Sequence, residues 1–121
     1  MLFLISCNQS IDSEKLYGKW KYLKVENPNH NPPDSLTARE IAEQSPFIEF
    51  SKTGDLSIIW DGKALSNGKF RIEGNLIRYT ESLPGGTKRE FPFLVSELSD
   101  QDLIFETMQE DGTRVTAKKI N

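Results

Sequence analysis

The sequence predicts an all-β domain: an eight-stranded antiparallel up-and-down barrel with one short helix in the first inter-strand connection. Three observations predict it. Short runs between Trp20 and Ile120 alternate apolar and polar residues, the period of a strand with one buried face. Tight-turn signals, among them Asp61-Gly62, Gly74-Asn75, Pro84-Gly85-Gly86 and Asp111-Gly112, separate most of these runs. The strand count is even, so the last strand can pair antiparallel with the first and remove both sheet edges. A barrel of this size is just wide enough to be filled by its own side chains or to hold one small ligand. The same pattern also fits a flattened sandwich of two sheets.

Taken in order, the first strand opens at Lys19-Trp20-Lys21-Tyr22, and Leu23 and Val25 extend it through a change of phase that suggests a bulge. Asn27 to Asp34 is rich in Asn and Pro and breaks it. Thr37-Ala38-Arg39-Glu40 fits a capping box, which predicts a helix over Ala38 to Gln44 with Ala38, Ile41 and Ala42 on one side and Pro46 ending it. Phe47 to Phe50 is the second strand and Leu56 to Trp60 the third, with Leu56, Ile58 and Trp60 on one face. The fourth runs from Gly68 and turns Phe70 and Ile72 inward. The fifth is Leu76 to Thr80, with Ile77 and Tyr79 inward. The sixth, Lys88 to Leu98, aligns Phe91, Phe93 and Val95, while Pro92 on the other face suggests an edge-like or bulged position. Leu103 to Phe105 and Thr113 to Ile120 complete the count.

Leu16-Tyr17-Gly18-Lys19-Trp20 places a glycine and a tryptophan two apart at the head of the first strand. This G-x-W resembles the opening of the lipocalin-like barrels of small bacterial lipoproteins. The resemblance covers Leu16 to Ile120. It implies that Gly18 and Trp20 close one end of the barrel beneath a ligand cavity, with a basic side chain from the last strand over the indole. The family's usual residue is Arg; here Lys119, or its neighbour Lys118, is the counterpart. The resemblance also implies that the long connection from Asn27 to Pro46 folds across the open end, as a lid over a ligand or a cap over the core.

Composition narrows the function. One domain is the most that 121 residues support. The net charge is −3 and Lys and Arg are scattered singly, so no basic stripe is available to track nucleic-acid phosphates. One cysteine rules out an internal disulfide framework, and one histidine without a Cys cluster rules out the usual zinc spacings. No metal and no cofactor is expected.

Met1 to Ser6 is apolar and far too short to span a bilayer, and it reads as the remnant of a signal peptide. Leu4-Ile5-Ser6-Cys7 resembles the bacterial lipobox, in which the cysteine is acylated and becomes the mature N-terminus. No Lys or Arg precedes the run, so either the start codon lies upstream or Cys7 is an inert terminal cysteine. The expected division is a signal remnant over 1–6, a lipidated polar tether over 7–15 and a barrel over 16–121. Asn8, rather than an aspartate, follows Cys7, which points to an outer-membrane anchor in the cell envelope.

No catalytic constellation is legible, and the chain is not expected to be an enzyme. His30 lies in an Asn/Pro loop and reads as solvated. The aspartates concentrate at turns, where backbone geometry favours them, and Glu49 and Glu90 face away from the aromatic side. The remaining functional candidate is the inward aromatic set Tyr22, Phe50, Trp60, Phe70, Tyr79, Phe91, Phe93 and Phe105. It forms either the wall of a pocket for a small hydrophobic or amphipathic ligand, with Tyr22 and Tyr79 as orienting hydroxyls, or a filled core. The first reading makes the chain a lipid-anchored ligand binder. The second makes it an interaction module, an inhibitor or accessory subunit with an envelope partner.

Overall fold

The computed structural model describes residues 10–30, 33–108 and 112–120; Cys7 and the lipobox lie outside the described residues. A four-residue helix, α1 (Ser13–Leu16), precedes β1 (Gly18–Asn27). The first connection carries β2 (Asp34–Ser35) and α2 (Ala38–Gln44). Then follow β3 (Phe47–Phe50), β4 (Asp55–Trp60), β5 (Lys63–Glu73), β6 (Leu76–Ser82), β7 (Lys88–Leu98), β8 (Asp102–Thr107) and β9 (Arg114–Ile120).

β1 and β3 to β9 pair consecutively and antiparallel, and β9 returns to β1 over Lys19↔Ile120 to Glu26↔Arg114. The result is a closed eight-stranded antiparallel barrel. β1 carries the expected bulge, at Leu23, where the register with β9 shifts between Tyr22 and Lys24. The β4–β5 hairpin turns on Asp61 and Gly62 with φ of 54° and 76°, the mirror-image turn whose twist matches the flanking strands.

The strands define two ends. β3 covers only the first part of β1, pairing Gly18↔Phe50 through Lys21↔Phe47. Beyond that point β2 takes its place (Glu26↔Ser35 and Asn27↔Asp34), and Leu36 N–H donates to the Val25 carbonyl. α2 fills the remaining breach. Its capping box is formed, with Thr37 accepting from Glu40 N–H and Glu40 accepting from Thr37 N–H, and Ser45 ends it in a left-handed conformation. Of its expected apolar side only Ile41 is buried; Ala38 and Ala42 face solvent because a single turn of so short a helix reaches the barrel. The α2 end of the barrel is the open end, and the Gly18 end is closed.

The largest departures in extent from the sequence expectation are in β5 and in the segment before β1. β5 begins at Lys63, not Gly68, because the Asp61-Gly62 turn lets pairing with β4 start at once at Trp60↔Lys63. Residues 10–15, within the expected tether, contain ordered structure: Asp12 caps α1 by accepting from Glu14 N–H, and Ile11 N–H donates to the Gly74 carbonyl. Pro92 lies on β7 beyond Phe93↔Thr107, where β8 ends, so its missing N–H forfeits no ladder bond on that side. Among the described residues no helix is long and apolar enough to cross a membrane.

Candidate functional site

The closed end is sealed by Leu16, Trp20, Ile48, Leu56, Ile77 and Leu103, all buried completely. Trp20 Nε1–H donates to the Leu16 carbonyl at 2.8 Å, so the indole fastens α1 onto the barrel as well as plugging it. Lys119 Nζ stands over the same ring, 4.5 Å from its centroid, and donates to the carbonyls of Tyr17 and Lys15. Lys118 is exposed on the opposite face. Burial lowers the proton affinity of Lys119, and Asp100 partly restores it. Gly18 has φ of 121°, and a Cβ there would lie 3.3 Å from Lys119 Nζ, so this conformation and this space both call for glycine.

The expected ligand-lining residues lie inside the barrel, six of them in one connected set of rings and two as a separate pair. Phe105 packs on Tyr22 and Phe93, Tyr79 on Phe91 and Phe93, and Trp60 on Tyr22, with Phe50 and Phe70 a separate edge-on pair at 5.2 Å. Tyr22, Phe50, Tyr79, Phe93 and Phe105 are buried and fill the lumen. Trp60, Phe70 and Phe91 are half-buried, packed against the core.

Beside these rings lies a polar group that the sequence reading missed. Glu81 follows Ile77 and Tyr79 on the inward face of β6 and is only 8% exposed. Ser66 of β5 donates to Glu81 Oε2 at 2.5 Å, and Tyr79 Oη lies 2.6 Å from Ser66 Oγ. Because the ionised carboxylate only accepts, Ser66 spends its proton there and Tyr79 donates to Ser66. From β7, Arg89 brings Nε and Nη2 to Glu81 Oε1 at 3.2 and 2.6 Å, with its guanidinium 5.4 Å from the Phe91 ring centroid. Burial opposes the charge on Glu81. The hydrogen bonds from Ser66 and Arg89, with the Arg89 charge, outweigh it and hold the carboxyl below its ordinary range. Burial raises the Tyr79 phenol, and the Glu81 charge adds to it. Burial pushes Tyr22 higher still, with Tyr79 contributing.

The signal for this group was present in the period-2 pattern. Ending the fifth strand at Thr80 cut off Glu81, one inward step past Tyr79. Arg89 is likewise one inward step before Phe91.

Two solvent-open grooves lie elsewhere. One of 480 Å³ runs at the closed end between Ser10–Lys15 and the Leu94–Leu98 stretch of β7. The other, of 330 Å³, crosses β4 and β5 near Ser57, Asn67 and Lys69. Neither is lined by the aromatic set. His30 pairs with Asp34 at 3.2 Å in the open-end connection. Among the described residues no group of three His, Cys, Asp or Glu side chains is placed to hold a metal ion.

No protein-family model and no curated protein matches the chain. Solved structures do. A lipocalin-like protein from Bacteroides uniformis ATCC 8492 superposes with a TM-score of 0.62 at 23% identity, over 88% of this chain and 99% of that one. An uncharacterized protein from Bacteroides eggerthii DSM 20697 superposes with a TM-score of 0.60 at 18% identity, over 87% of this chain and 99% of that one. Together with the closed eight-stranded barrel, these likenesses show that the chain has a lipocalin-like fold.

Proposed function

We propose that the protein binds a small amphipathic molecule in the open half of its barrel. Its apolar part would lie against Trp60, Phe70 and Phe91, and its polar head would meet the Ser66, Tyr79, Glu81 and Arg89 group. The observation that carries this reading is Glu81. A buried carboxylate carries a desolvation penalty that an apolar residue of similar size would avoid, so a barrel shaped only to be filled has no use for it. Because the inner residues are packed, a ligand inside the barrel would have to sit toward the open end, which favours a small one.

The electrostatics favour binding over catalysis. Glu81 is held ionised and Tyr79 protonated, each pushed away from the neutral range in which a general acid or base works best. We further propose that Cys7 carries a lipid anchor at the cell envelope. The chain meets the barrel at its closed end through Ile11 and α1, so an anchored molecule would turn its open end away from the membrane.

A second reading, a filled barrel acting on an envelope partner through its surface, draws on the packed closed half. The exposed apolar residues Leu23, Leu65, Met108 and Ile120 sit on or beside different strands and give that reading no single patch. Native mass spectrometry of protein purified from its own membranes tests both the anchor and the binding. The expected spectrum shows a mass increment on Cys7 and a co-purifying small molecule that dissociates on activation. An unmodified, empty protein contradicts the proposal.

A further inference from the structure

We propose that the open end selects a cationic head, an alkylammonium or guanidinium group on an apolar tail, and that Arg89 occupies its place when no ligand is bound. This rests on the open-end binding proposed above and adds the chemical class of the ligand. The fixed charge of the site is negative. The Glu81 side chain is only 11% exposed and is held by Ser66 from a neighbouring strand, with Tyr79 behind Ser66.

The Arg89 side chain, by contrast, is 63% exposed, so its guanidinium can swing into water at little cost, while Glu81 has nowhere else to turn. The position Arg89 fills has the features that recognise a cation: a carboxylate oxygen at 2.6 Å and the face of Phe91 at 5.4 Å. An incoming ammonium would inherit both contacts and leave Glu81 paired throughout. An anionic head in that position would face the buried carboxylate, and could pair with Arg89 only out in solvent, where an ion pair contributes little.

Three chains of one length test the idea: dodecylammonium, dodecanol and dodecanoate, each titrated below its micelle concentration or, for dodecanol, its solubility limit, and followed by calorimetry. Dodecylammonium is expected to bind about tenfold to a hundredfold more tightly than dodecanol, the range of a charge-assisted contact with a desolvated carboxylate, and dodecanoate more weakly than either. Glu81→Gln keeps the shape and is expected to erase the preference, bringing dodecylammonium to the affinity of dodecanol in the same variant. Arg89→Gln, at an exposed position, removes the competitor and is expected to tighten dodecylammonium more than dodecanol. Equal binding of all three chains, or weaker dodecylammonium binding in Arg89→Gln, overturns the cation assignment while leaving open-end binding intact. Failure of every chain to bind overturns both.

Discussion

Lys119 Nζ stands 4.5 Å from the centroid of the Trp20 ring while donating to the Tyr17 carbonyl at 2.6 Å. The last strand therefore locks the first, and both hold the N-terminal segment over the closed end. Trp20→Ala is expected to destabilise the barrel by about 3–5 kcal/mol, as a large core truncation. Lys119→Met, which keeps the apolar stem and loses the carbonyl bonds and the cation, is expected to cost about 1–3 kcal/mol. Lys119→Arg should recover much of that. Chemical denaturation of the three variants measures both effects, and a near-neutral Trp20→Ala would mean that the indole is not the plug.

Gly68 faces Glu81 across the β5–β6 ladder, where a Cβ would come within 2.0 Å of the Thr80 carbonyl oxygen. Backbone cannot yield as a flexible side chain can, so the strands would have to part. Gly68→Ala is expected to cost about 1–3 kcal/mol through overpacking. It is also expected to weaken hydrogen-exchange protection along β5 and β6 more than elsewhere, whereas uniform loss across the barrel would contradict a local cause.

Alkaline pH should unfold the protein for a reason specific to its lumen. Burial raises the phenols of both Tyr22 and Tyr79 above the ordinary value of 10.0. A raised folded pKa contributes stability that is fully present below 10.0 and is lost as pH climbs toward the folded values, because only the unfolded chain releases those protons. The midpoint in denaturant is therefore expected to fall above pH 10.0, and Tyr22→Phe to flatten that fall. Acid acts through Glu81 with the opposite sign. Its folded pKa is depressed, so its contribution is present above 4.5 and is lost as pH drops through the folded value. Glu81→Gln should lessen the acid sensitivity, part of which also arises from Asp34, Asp55 and Glu90, whose carboxyls are likewise lowered.

The barrel was legible because its signals are local. Alternating runs, Asp-Gly turns and the Thr37/Glu40 capping box each declare themselves within a few residues, and α2 spans Ala38–Gln44 as its caps predict. Lys119 was reachable as well, since closing the barrel sets the first strand beside the last. The Glu81 group was harder to read. Its members lie on three strands, and charged residues at strand ends ordinarily mark where a run stops. The period-2 pattern continues the inward faces of Tyr79 and Phe91 to Glu81 and Arg89, but only register sets those two opposite one another. Order in residues 10–15 was also hidden, because Ile11 is one apolar residue among polar neighbours and its partner, Gly74, is far along the chain.

The account depends on the open half of the barrel accepting a ligand, and two-dimensional amide NMR during titration with dodecanol tests this most directly. The expected result is progressive shifts of the Trp60 indole N–H and of amides around Ser66, Tyr79 and Glu81, with the Trp20 indole N–H unmoved. No shifts at saturation, or shifts confined to the outer groove between Ser10–Lys15 and Leu94–Leu98, would contradict it.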